Sequence, residues 1–108
     1  MNARTMLAVL THLEPVLHLA FNAAQDMDAF MEINQFAGEG IRALRSIKEC
    51  DQLTDELRAE AESLIPGLRG MLFATGTWMA QRPEELVAAL KIKRAVVRIM
   101  PDENPDRN

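Results

Sequence analysis

Residues 26–48, DMDAFMEINQFAGEGIRALRSIK, decide the fold. Phe30, Ile33, Ala37, Ile41, Leu44 and Ile47 recur every three or four positions, which puts them on one face of a helix. Ala29, Phe36, Ala43 and Cys50 widen that face. One partner helix cannot cover so wide a stripe, so it needs contacts on two sides, within the chain or across a subunit interface. Asp26 and Asp28 suit a turn or the start of the helix. Gly38 and Gly40 fall mid-stripe, where each costs about 1 kcal/mol relative to Ala. Either they admit a close helix approach or they mark a break after Phe36.

Upstream, Met6, Leu10, Leu13, Leu17, Ala20, Ala24 and Met27 form a second seam with alternating spacings of four and three. Pro15 interrupts it. Thr11 and Glu14 match a capping box, which would start a helix at Thr11 and leave Pro15 near its first turn. The continuity of the seam on both sides favours one long helix from Ala3, kinked at Pro15. Downstream, Leu53, Leu57, Ala61, Leu64, Leu68, Leu72 and Thr75 form a third stripe, crossed by Pro66-Gly67, which either kinks or breaks it. Pro83 opens a fourth helix with Glu84 and Glu85 behind it. Leu86, Ala89, Leu90, Val96, Val97 and Met100 line its apolar face, and Pro101 stops it. Residues 101–108 hold three acids, two prolines and no apolar side chain, and are expected to be a disordered acidic tail. The expectation is therefore one all-α domain over residues 1–100. Three to four helices form a small antiparallel bundle, whose wide stripe is covered either within one chain or between two.

Composition agrees. The chain has 108 residues, 48% of them hydrophobic, with 15 Ala, 13 Leu, only 5 Val and no Tyr, a bias toward helix over strand. A chain this long can bury about two thirds of its surface without metal or disulfide. The net charge of −4 disfavours a general polyanion binder. The single cysteine, Cys50, excludes an internal disulfide and fits a cytoplasmic location. The N-terminal residues do not read as a signal peptide. Pro15, His12 and His18 interrupt the best apolar run, so no membrane partner is expected.

Chemistry is sparse. His12, Glu14 and His18 are the only metal-like group, and His12 and His18 point apart on a helix, so no metal is expected. Cys50 sits between Glu49 and Asp51, which oppose thiolate formation. The carboxylates of residues 51–62 read as a solvated helix face. Lys91, Lys93, Arg94 and Arg98 suit a helix C-terminus, and no aromatic lies among them to stack a base. No glycine pattern cradles phosphate. These residues imply no enzyme, no cofactor and no nucleic acid. The remaining signal is surplus apolar surface. Phe30, Ile33 and Phe36 are assigned to a core or self-association stripe. Met71, Phe73, Trp78 and Met79 are assigned to contacts with a protein target.

The segments Leu10–Leu19, LTHLEPVLHL, and Gly40–Leu44, GIRAL, together with the length and helical layout, resemble the QslA family of small bacterial quorum-sensing anti-activators. That resemblance implies a cytoplasmic helical homodimer. It would bind the ligand-binding domain of a LuxR-type transcription factor and prevent that factor from dimerising and binding DNA. It transfers no contact residues, because the family has no motif that aligns residue by residue. A helical chaperone or assembly subunit and a small DNA-binding regulator using Lys91 to Arg98 are the alternatives.

Overall fold

The computed structural model describes residues 2–51 and 53–99, with side chains as far as Lys91. These residues are all-α: α1 (Ala3–Thr11), α2 (Leu13–Ala23), α3 (Met27–Lys48), α4 (Asp55–Ala80) and α5 (Pro83–Ile99). The anticipated tail at 101–108 lies outside the described residues. So do the side chains of Lys93, Arg94, Val96, Val97, Arg98 and Met100.

Three short polar side chains start three of the helices. Asn2 Oδ1 accepts from Thr5 N at 2.9 Å, Asp26 Oδ1 from Ala29 N at 2.9 Å, and Thr54 Oγ1 from Leu57 N at 3.3 Å, each satisfying a donor the helix leaves free. The capping box at Thr11 does not form. The Thr11 hydroxyl instead donates to the Leu7 carbonyl at 2.8 Å, and His12 forms a one-residue joint between α1 and α2 with no side-chain cap. The helix thus does not start afresh at Thr11: Ala3–Ala23 is one helical segment interrupted at His12, in the turn before Pro15. Pro15 occupies the third position of α2, where the helix needs no N–H donor. α3 runs unbroken through Gly38 and Gly40, and α4 runs unbroken through Pro66 and Gly67. Pro66 and Glu62, whose carbonyl loses its helical partner, both lie on the solvent side of α4, so water can replace the missing donor.

The core is built on α3 and α4, which run antiparallel. Phe30 meets Trp78, Asn34 meets Thr75, and Lys48 Nζ lies 3.6 Å from Glu62 Oε1. Every member of the α3 stripe, from Phe30 to Ile47, is buried, as are Ala61, Ile65, Leu68, Met71 and Thr75 of α4. Thr75 is the buried polar residue of the seam. Its hydroxyl accepts from Asn34 Nδ2 at 3.0 Å and donates to the Met71 carbonyl at 2.9 Å, so neither side chain pays for burial without a partner.

α1 and α2 lie across this pair, with Leu7, Leu10 and Leu17 buried. Gly40 makes that crossing close. A Cβ built there would stand 2.6 Å from Leu13 Cδ2 and 2.9 Å from Leu68 Cδ1. Gly38 has no such constraint, its nearest neighbour being Leu72 Cδ1 at 3.7 Å. α5 touches α3 and α4 and neither α1 nor α2 among the described residues. One segment, Ala3–Ala23, has the length and mean hydropathy of a membrane span, at 1.2 over its best window. The inner face of that segment is nonetheless committed to the protein core.

Candidate functional site

The expected site residues separate into three groups. Phe30, Ile33 and Met71 are buried, so Met71, assigned to target contact, is a core residue, on the side of α4 that faces the cleft against α2. Trp78 and Met79 are half-buried. Phe36 and Phe73 remain open, 50% and 76% exposed.

Trp78 is engaged within the chain. Its ring stacks on Phe30 with centroids 3.9 Å apart and planes 8° from parallel, and Phe21 meets Phe30 edge-on at 5.4 Å. The Arg82 guanidinium lies over the other part of the stack, 3.9 Å from the Trp78 ring centre, and Arg82 Nη1 donates to the Trp78 carbonyl at 3.0 Å. This column ties α2, α3 and the α4–α5 turn together. Aromatic and cation–π contacts of this kind add about 0.5–1.5 kcal/mol each beyond area burial.

Phe73 points away from its own fold. α4 meets α2 at Gly67, where Glu14 Cγ lies 3.0 Å from the missing Cβ, and meets α3 at Leu72 and Thr75. Phe73 is turned about 100° beyond Leu72, away from that contact.

Phe36 belongs to a different surface. Phe21 meets Phe30 and Leu13 meets Gly40, so α2 and α3 are antiparallel and Val16 lies level with Phe36. Leu13 turns toward α3 and Glu14 toward α4. Val16, three residues beyond Leu13, therefore borders the α3 side, and Phe36 borders the same edge one turn before Gly40. Val9 and Val16 are 56% and 57% exposed and Leu19 is 72% exposed. This outer face was not assigned in the sequence, although Val9, His12, Val16, Leu19 and Ala23 recur there at alternating spacings of three and four. Val87 and Leu90 of α5 are also exposed.

No protein-family model, curated protein or solved structure matches the chain. Any account of function therefore rests on the residues themselves.

Those residues offer binding surface rather than a reaction centre. Glu14 and His18 share a face as their spacing requires, with His18 Nε2 2.6 Å from Glu14 Oε1, while His12 is exposed and outside that pair. No group of three or more His, Cys, Asp or Glu side chains is placed to hold a metal among the described residues. Cys50 is a free, half-buried thiol whose carbonyl accepts from Arg58 Nη2 at 2.8 Å. Asp55, Glu56, Glu60 and Glu62 are exposed, with Asp55 3.7 Å from Arg58 Nη1. A cleft of about 450 Å³ separates α2 from α4, with Phe21, Met71 and Ala74 lining it and Glu14 and His18 also at its wall.

Proposed function

We propose that the chain is a non-enzymatic regulator that acts by binding another protein, as a homodimer of small antiparallel helical bundles. Phe73 carries this reading. It is the most exposed large apolar side chain among the described residues, and it stands on a 26-residue helix anchored in the core. An aromatic on a rigid element loses little entropy on binding, and such residues dominate interface energies. The mechanism is steric: Phe73 fills an apolar pocket that the target uses for its own assembly. Trp78, held between Phe30 and Arg82, supports the shape of that region from within.

The resemblance to the QslA family supplies the identity of the target, the ligand-binding domain of a LuxR-type transcription factor. The block would be of that factor's dimerisation, and hence of its DNA binding, in the cytoplasm. This assignment stands on the sequence resemblance alone. No catalysis, cofactor or DNA contact by the chain itself is needed.

The test is capture of partners from lysate by the tagged chain at low and high salt, beside a Phe73→Ser variant. The expected result is a transcription regulator retained at high salt and lost with Phe73→Ser, while helicity is unchanged. Capture of an assembly component refutes the anti-activator reading. So does nucleic acid that is released as salt rises, which is the signature of phosphate contacts.

A further inference from the structure

We propose that the cleft between α2 and α4 binds a small organic amine, a primary ammonium carried on an apolar body about the size of one aromatic ring. This goes beyond the protein-binding reading and needs neither Phe73 nor a second copy of the chain.

The cleft has the size and the chemistry of a ligand site. Its volume of about 450 Å³ falls in the range of small-molecule pockets. Phe21 of α2 and Met71 and Ala74 of α4 give it apolar walls, and Glu14 and His18 stand together on α2. Sites for small molecules divide in the same way, mostly apolar with a few placed polar groups. The thioether of Met71 supplies an adaptable, polarizable surface.

Two glycines of α4 keep the cleft open, for different reasons. At Gly67 a Cβ would stand 3.0 Å from Glu14 Cγ, so the bare backbone lets α2 approach. At Gly70 a Cβ would meet no atom within 4 Å. Ala at that position would strengthen the helix without a clash. No contact among the described residues requires Gly70 to be bare, and the space it leaves belongs to the cleft.

Charge selects the ligand. Glu14 lines the cleft, and among the described residues no Lys or Arg does. Arg69, the cation of α4 closest in sequence, is turned about 130° from the mean direction of Pro66, Gly67, Gly70, Met71 and Ala74. Arg42 lies beside Gly38, Lys48 beside Glu62 and Arg82 on Trp78, and Arg4 lines a separate recess with Leu53. His18 Nε2 lies 2.6 Å from Glu14 Oε1, which uses one of the carboxylate's roughly four lone-pair sites. The other oxygen can accept from an ammonium, and a charge-assisted bond is about twice as strong as a neutral one. An organic acid of the same shape would meet Glu14 as a like charge. The net charge of −4 adds a longer-range attraction for a cation.

Titration of the isotope-labelled full chain with phenethylamine, followed by amide NMR, tests this. Mildly alkaline buffer is used so that imidazole adds no charge of its own. The expected result is a saturable shift at Gly67 and Gly70, with none at Gly38 of α3. Hydrocinnamate, a body of similar size ending in a carboxylate, binds about tenfold or more weakly than the amine. Glu14→Gln keeps the shape, removes the charge and weakens the amine by about the same factor. Gly70→Leu fills the cleft and abolishes the shift at Gly67, while circular dichroism shows helicity kept or raised. The absence of a saturable shift at Gly67 and Gly70 overturns the site. Equal binding of amine and acid, or amine binding unchanged by Glu14→Gln, overturns the assignment of the ligand. A shift at Gly67 that survives Gly70→Leu overturns the cleft as the place where the amine binds.

Discussion

Two glycines four ångströms or less from the same core separate the packing from the backbone term. Replacing either Gly38 or Gly40 with Ala gains about 1 kcal/mol of helix propensity, since both lie inside α3. At Gly38 the new methyl reaches Leu72 at 3.7 Å, an ordinary contact, so the gain survives. At Gly40 it would stand 2.6 Å from Leu13 and 2.9 Å from Leu68, on two helices at once. Leu68 is fully buried and has nowhere to retreat, and overpacking of this kind costs about 1–3 kcal/mol. Gly38→Ala should therefore raise stability by about 1 kcal/mol, and Gly40→Ala should leave it unchanged or lower it by up to about 2 kcal/mol. The propensity term cancels between the two, so the gap of about 1–3 kcal/mol measures the crossing alone. Urea denaturation followed by circular dichroism at a common slope gives both values. Leu13→Ala should cost less in the Gly40→Ala background than alone, because the new methyl fills part of the space the truncation opens. If Gly40→Ala stabilises as much as Gly38→Ala, α1 and α2 do not cross α3 at that point and the docking of the first two helices is wrong.

Trp78→Ala removes the platform shared by Phe30 and Arg82 and should cost about 2–3 kcal/mol, less than a fully buried Trp because the ring is half-exposed; a loss under about 0.5 kcal/mol in thermal and urea unfolding would show that the column is not formed. Thr75→Val keeps the shape but strips Asn34 of an acceptor in the α3–α4 seam, for an expected loss of about 1–2 kcal/mol, and an unchanged urea midpoint would place Asn34 and Thr75 apart.

The α3 stripe was legible because polar residues separate most of its apolar positions, whereas in α4 Leu64-Ile65 and Met71-Leu72 are adjacent, and the expected stripe took Leu64 and Leu72 where Ile65 and Met71 are the buried members. Phe30, Ile33, Ala37, Ile41, Leu44 and Ile47 are all buried where periodicity placed them. In α1 the signal fails. Met6, Leu7, Val9 and Leu10 are all apolar, so several phases fit equally, and the expected seam includes Met6 but omits Leu7, which is buried. The capping box failed for a local reason: a threonine at the end of a helix can reach the carbonyl four residues back as readily as an amide ahead. The fate of the aromatic residues was not legible at all. Phe36, Phe73 and Trp78 look alike in sequence, and only the helix register shows that Trp78 is stacked while the two phenylalanines face outward.

The dominance of the α3–α4 pair also orders events in time. These two helices are neighbours in sequence, joined by residues 49–54 and closed by Arg58 on the Cys50 carbonyl and by Lys48 near Glu62. Closing so short a loop sacrifices little chain entropy, and contacts between adjacent segments form early. α1 and α2 can dock only on the surface that pair creates, because the pocket under Leu13 is made by Gly40 and Leu68 together. The hairpin is thus expected to nucleate first and to release its amide protons last, with the N-terminal segment joining it and leaving it as a unit, an order that native-state hydrogen exchange reads directly.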